Sequence, residues 1–246
     1  MVSAVIFDFY GTLAHSADAA GSNYESIYQT IFAARGYTLE QSVLNDYYSR
    51  YDGVEHGEHS TSEVAYEAWV RTRLRDLTEA CGVSDAHVEE LLDALRAVDQ
   101  GAMVPYPEAA ATLSSLREAG FAIGVCSNWG WELDAFLDEA GLLALVDVSV
   151  TSARAGSRKP HPDIYDISVS ALGVEREEVL FVGDSWEPDV RGPRRAGMAA
   201  AHVWREEERH GLRPPPLEPG DHRVGDLTGV VEILEIVDDP SRMTQR

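Results

Sequence analysis

Cysteine, basic residues and long apolar runs are all scarce in this chain, and each shortage excludes a class of protein. Cys81 and Cys126 are its two cysteines in 246 residues, too few and too distant for a disulfide framework. No apolar stretch approaches membrane length, and no basic segment precedes an apolar run at the N-terminus, where MVSAVIFDFYG reads straight into a strand. A reducing, cytoplasmic location without a membrane anchor is the expectation. Basic residues number 20 against 42 acidic ones, for a formal charge of -22. Such a surface repels nucleic acid, and no basic stripe offers a local exception. Repeats and low-complexity segments are absent too. With 44% hydrophobic residues the chain has enough apolar material for one core domain and a smaller partner.

Val2 to Phe9 is an apolar run that stops at Gly11-Thr12, the pattern of a buried parallel strand feeding a loop. From about Ala17 to Gln100 the pattern is helical. Segments Tyr24 to Arg35, Leu39 to Tyr51, Thr61 to Ala80 and Asp85 to Val98 are separated by Gly36, Gly53 and Gly82. Beyond Met103 helices and strands alternate. Helices are expected from Pro107 to before Gly120 and over Trp131 to Ala140, Pro162 to Leu172 and Pro188 to Ala196. Strands are expected over Phe121 to Cys126, Leu145 to Val150, Glu178 to Val182 and Ala199 to Val203. A last strand and helix fall in His222 to Leu227 and Val230 to Ile236, beyond the loop holding Pro214, Pro215 and Pro216. Prolines at helix starts and glycines after helix ends support these bounds. The expected fold is α/β: a Rossmann-like parallel sheet core, residues 1–15 and 103–246, with an inserted helical cap, residues 16–102, over the carboxyl ends of the strands.

Four polar clusters fall at or near expected strand ends: Asp8 to Thr12, Ser127-Asn128, Lys159-Pro160, and Gly183-Asp184 with Asp189. Open parallel sheets gather ligands outside those ends, so distant clusters can form one site. Asp8, on a rigid strand, is placed to attack phosphorus or carbon and form an ester intermediate; a loop-capping role is the alternative. Thr12 offers a hydroxyl and an N–H to an anion, Gly11 allows the turn, and Ser127 and Asn128 add neutral donors. Ser-Asn at a strand end is also ordinary turn material. Lys159 can neutralise charge on a transferred group. Asp184 and Asp189 near Asp8 would repel it unless a cation lay between, and hard oxygen ligands suit Mg2+. The competing role for these acids is capping the helix at Pro188.

FDFYGTL at Phe7 to Leu13, VCSNWG at Val125 to Gly130, RKPHPDIY at Arg158 to Tyr165 and FVGDSWEPDVRG at Phe181 to Gly192 together resemble the haloacid dehalogenase-like hydrolase superfamily. The resemblance spans the core, and the helical block resembles the superfamily's inserted cap. It implies that Asp8 is the nucleophile, that Thr12 and Ser127 contact phosphate or carboxylate, and that Lys159 is the charge-neutralising lysine. It further implies Mg2+ at Asp8, Asp184 and the main-chain carbonyl of Tyr10, with Asp189 in support.

Tyr10 departs from the phosphatase pattern, which places an acid/base Asp two residues after the nucleophile. A phenol is poorly matched to that work at neutral pH. FDFYGTL instead resembles the first motif of the L-2-haloacid dehalogenases, and Tyr165 matches their lysine-to-tyrosine spacing, although it can equally be a core side chain. Gly183-Asp184 resembles the Mg2+-dependent phosphatases. The dehalogenases' cap arginine has only loose counterparts in Arg35 and Arg50. Mg2+-dependent hydrolysis of an activated small phosphorylated substrate is therefore the leading expectation, and metal-independent haloacid dehalogenation the second. His56 and His59 have metal-ligand spacing but a Gly-Glu-rich setting that reads as an exposed loop. Trp69 and Trp204 read as packing groups, Trp186 as pocket wall or core, and Trp129 and Trp131 as an aromatic wall. A small-molecule substrate is the expected partner, and the cap offers a surface for a homodimer.

Overall fold

The computed structural model describes residues 2–17, 24–51, 59–99, 102–208 and 211–234. Their strands are β1 Ala4–Phe7, β2 Ala14–Ser16, β3 Met103–Pro105, β4 Ala122–Ser127, β5 Val148–Thr151, β6 Val179–Gly183, β7 Ala199–Val203 and β8 Asp221–Val224. Six of them form one sheet in the order β5-β4-β1-β6-β7-β8, parallel at every pairing. The three-residue β2 and β3 make a separate two-stranded sheet.

β1 shows why the sheet is covered twice. All four of its residues are buried; Val5 and Phe7 pack into one apolar cluster, Ala4 and Ile6 into another. Successive side chains of a strand point to opposite faces, so the two clusters are the two faces. The first takes Leu113 and Leu116 from helix Ala109–Glu118 and Leu133 and Leu137 from helix Leu133–Glu139. The second takes Ile164, Tyr165 and Val169 from helix Pro162–Leu172. The fold is thus the α/β, doubly covered parallel sheet that the strand and helix alternation predicts.

By its internal contacts the chain divides into two compact units, Met1–His15 with Met103–Arg246, and Ser16–Ala102. The second unit holds helices Tyr24–Ala33, Gln41–Tyr51, Glu63–Ala80 and Asp85–Asp99. Tyr28, Phe32, Leu44, Leu77, Leu91 and Leu95 contribute to its own core. Ser62 caps the third of these helices, its hydroxyl accepting from the Ala65 N–H at 3.2 Å. No helix among the described residues is long and apolar enough to cross a membrane.

Three local expectations change. The strand expected from Leu145 begins only at Val148, because Leu143–Leu145 winds as a 3-10 turn. The short β2 and β3 have no counterpart in the sequence reading. The helix expected over Pro188 to Ala196 is a wider π turn, Trp186–Arg191, followed by a single α turn, Gly192–Arg195. The Pro188 carbonyl accepts the Tyr165 hydroxyl at 2.5 Å, and π turns gather at functional sites. The last helix is Thr228–Ile233; its expected extension to Ile236 lies outside the described residues.

Tyr165 is fully buried, edge-on to Phe181 with ring centroids 5.7 Å apart. A Cβ on Gly192 would stand 2.1 Å from the Tyr165 hydroxyl oxygen. Gly192→Ala is therefore expected to destabilise the protein by about 1–3 kcal/mol. In a Tyr165→Phe background that cost should shrink, which a double-mutant cycle of urea midpoints measures. Equal costs in both backgrounds would show that this contact does not set them.

Candidate active site

Strands β4, β1 and β6 are neighbours in the sheet, so their carboxyl ends deliver Ser127, Asp8 and Asp184 to one place. Asp8 follows β1 directly and is anchored by its N–H, which donates to the Val182 carbonyl at 2.9 Å. The chain then turns tightly: the Leu13 and Ala14 N–H groups both donate to the Phe9 carbonyl, at 2.9 and 3.0 Å. Gly11 has a φ of 78°, and a Cβ there would lie 2.8 Å from the Asp184 carboxyl carbon. Glycine at this position lets the carboxylate that follows β6 close against the loop after Asp8. Gly183 serves the same purpose one strand over, since its Cβ would come within 2.4 Å of the Asp189 side chain.

Lys159 sits at the centre. Its Nζ donates to Asp8 Oδ1 at 2.8 Å and to Asp189 Oδ1 at 2.7 Å, and only 3% of the residue is exposed. Burial works against charge on Lys159, but the attraction of Asp189 and Asp8 outweighs it and holds its pKa above the ordinary range. Asp189 is wholly buried; burial pushes its carboxyl upward against the pull of Lys159. Its second oxygen accepts the Ser185 N–H at 3.0 Å. Both Asp189 oxygens are thus engaged, and the residue supports Lys159 and the loop after β6.

Carboxylate oxygens of Asp8, Asp184 and Asp189 lie within 4.8 Å of one another. That donor set fits a hard divalent cation. Thr12 Oγ1, in the turn that follows Asp8, is buried with no protein partner among the described residues. A buried hydroxyl in that state calls for a ligand or water. Ser127, the last residue of β4, is 2% exposed. Asn128 was expected to face an anion, yet its amide engages the main chain of Lys159, donating to the carbonyl at 2.9 Å and accepting the N–H at 2.7 Å.

Tyr10 is half-buried and stacks on Trp129, with centroids 6.3 Å and planes 26° apart. Burial, then Asp184 and Glu208, push its phenol pKa up. Its phenol therefore keeps its proton at neutral pH. Trp129 also packs edge-on against Phe9 and Phe136. The Trp131 carbonyl accepts from Arg154 at 2.8 Å. Of the two roles open to Tyr165, the structure selects core packing.

Sequence reasoning passed over two supporting residues. Arg205, buried, stacks on Tyr106 at 3.5 Å, pairs with Glu108 at 2.7 Å and donates to the Thr12 carbonyl at 3.3 Å. His202, buried at the sheet end of β7, donates from Nε2 to the Asp184 carbonyl at 3.0 Å. No local pattern marks either. Lys159 carried a stronger signal than its Lys-Pro context, because it is the only lysine in the chain, beside 19 arginines.

Arg35 pairs with Glu90 at 3.0 Å and Arg50 with Asp46, both within the helical unit. His56 is outside the described residues, and His59 stacks on Trp69. Trp204 is buried, and both it and Trp186 pack against His202.

Comparison with known proteins agrees with this layout. The family model described as haloacid dehalogenase-like hydrolase matches residues 2–197. Phosphoserine phosphatase of Thermus thermophilus is 36% identical over 173 residues, 68% of this chain and 67% of its own. (S)-2-haloacid dehalogenase of Xanthobacter autotrophicus is 32% identical over 210 residues, 83% of this chain and 76% of its own. The crystal structure of a HAD phosphatase from Thermococcus onnurineus matches with a TM-score of 0.64 at 25% identity, over 95% of this chain and 98% of that one. With about four fifths of its length, residues 2–197 of 246, covered by the family model and the motif residues gathered at one end of the sheet, the chain belongs to the haloacid dehalogenase-like hydrolases.

Proposed function

We propose that the chain is a Mg2+-dependent phosphohydrolase that acts on a small substrate carrying an activated phosphate, through an aspartyl-phosphate on Asp8. Its strongest support is the approach of Asp184 to Gly11 and Asp8, in a set of three carboxylates whose oxygens lie within 4.8 Å. Lys159 offsets one of the three charges, and a divalent cation matches the other two. Asp8, Asp184 and the main-chain carbonyl of Tyr10 would hold it, with Asp189 in support. When bound, Mg2+ supplies positive charge to the phosphate oxygens.

The protein's own groups do the rest. A carboxylate oxygen of Asp8 attacks phosphorus in line, and the bond to the leaving oxygen breaks. The unpartnered Thr12 hydroxyl and Ser127 donate to phosphate oxygens, and Lys159 counters their charge. Water then cleaves the Asp8 ester, releasing phosphate and restoring the carboxylate. Tyr10 holds its proton too tightly to give it to an alkoxide. Leaving groups stable as anions, such as those of aryl or acyl phosphates, suit this site.

A second reading, displacement of halide from carbon by Asp8, draws on Tyr10 and on the match to the Xanthobacter dehalogenase over 83% of the chain. The Gly183-Asp184 pair and the engagement of the Tyr165 hydroxyl by Pro188 weigh against it.

Hydrolysis of p-nitrophenyl phosphate separates the two. The purified chain should require Mg2+, Asp8→Asn should lose about 1000-fold or more in turnover, and Asp184→Asn should raise the Mg2+ requirement about 10–100-fold. Metal-independent halide release from an L-2-haloacid, with no p-nitrophenyl phosphate turnover, would replace the first reading by the second. Tyr10→Asp, which installs a carboxylate two residues after Asp8, should raise turnover of alkyl phosphates relative to aryl phosphates by about 100-fold. An unchanged ratio would remove leaving-group protonation as the reason for the aryl preference.

A further inference from the structure

We propose that Asn128 is a positioning residue whose side-chain amide clamps the main chain of Lys159 and so fixes where the ammonium can reach. It rests on the phosphohydrolase reading for its effect on turnover, and on geometry alone for its effect on Lys159.

Residues Arg158 to His161 form a turn closed by the His161 N–H donating to the Arg158 carbonyl at 2.8 Å. Lys159 is the second residue of that turn, so its own N–H and carbonyl take no part in closing it. Asn128 meets both: its Oδ1 accepts the Lys159 N–H at 2.7 Å, and its Nδ2 donates to the Lys159 carbonyl at 2.9 Å. A primary amide presents an acceptor and a donor on one edge, which matches the N–H and C=O of a single residue. The anchor is rigid, because Asn128 directly follows Ser127 at the end of β4, in a strand paired on both sides.

Lysine is a long, flexible side chain. Its ammonium can stay at 2.8 Å from Asp8 and 2.7 Å from Asp189 only while its Cα is held. Asn128 and Lys159 are 31 residues apart in sequence. The clamp joins them, so the end of β4 that carries Ser127 and the loop that carries Lys159 keep one spacing. An amide with its acceptor and one donor hydrogen committed in this way serves Lys159 before any bound anion.

Since Lys159 is the only lysine, amine acylation reads this one side chain. Wild type, Asn128→Ala and Asn128→Asp would be treated with N-hydroxysuccinimidyl acetate well below their melting temperatures. Mass spectrometry would follow the Lys159 peptide, scaled to the urea-unfolded chain. Wild type should resist. Asn128→Ala should acylate at least about tenfold faster, as the loop opens locally. Its kcat for p-nitrophenyl phosphate should fall about 100-fold, with a smaller change in KM. Asn128→Asp keeps the acceptor for the Lys159 N–H and loses the donor to its carbonyl, so it should fall between the two; it decides the matter if the alanine variant does not fold. Acylation as slow as wild type in the folded variants overturns the proposal, even where turnover falls, because Asn128 would then act on the substrate itself. Faster acylation in a protein without phosphatase activity upholds the clamp and sinks only the phosphohydrolase reading.

Discussion

A single buried ammonium organises this protein. Lys159 lies between Asp8 and Asp189 with almost no exposure, and its charge offsets the cost of burying the two carboxylates. Taking charges out of water is costly, and removing one partner of such a set commonly costs about 3–5 kcal/mol, because it leaves an unmatched buried charge. Everything around the site keeps these three groups in reach of one another. The strand order places β4 and β6 on either side of β1, the two glycines let Asp184 and Asp189 approach, and the Ser185 N–H holds the far oxygen of Asp189.

The same crowding gives the chemistry its direction. Three carboxylates around one ammonium leave an excess of negative charge, which a phosphate dianion would meet unfavourably without a cation. The Tyr10 ring, lying along Trp129, gives the site an apolar side where a carboxylate would otherwise add a further negative charge. The exchange removes a proton donor and lowers repulsion toward the substrate. On the phosphohydrolase reading, such a site depends on the substrate to bring its own good leaving group.

How much of this could be read from residues alone follows from how far each interaction reaches. The sheet was legible because parallel strands buried on both faces are apolar throughout, as Val5 to Phe7 and Val179 to Val182 are, and because proline and glycine punctuate the helices between them. The meeting of Asp8, Ser127, Lys159 and Asp184 was legible too, since each sits at or near a strand end. What stayed hidden depends on partners far away in sequence. Arg205 reaches the Thr12 carbonyl across 193 residues, and nothing near residue 205 advertises it. The π turn at Trp186–Arg191 includes a carbonyl whose partner, Tyr165, lies 23 residues away, and the three-residue strands β2 and β3 are too short to show a period. Asn128 looked like a ligand donor because its residue type suits both roles, and only the fold shows which group its amide meets.

The solitary lysine has a consequence outside catalysis. Cellular marks that attach to lysine side chains, whether acetyl groups or protein tags that direct degradation, find one acceptor in this sequence, and folding buries it in a loop at the end of the sheet. The 19 arginines supply positive charge without offering such an acceptor. A tag joined through a lysine side chain can therefore reach this chain only once Lys159 has come out of the core. Such a tag would single out molecules whose active site has already come apart.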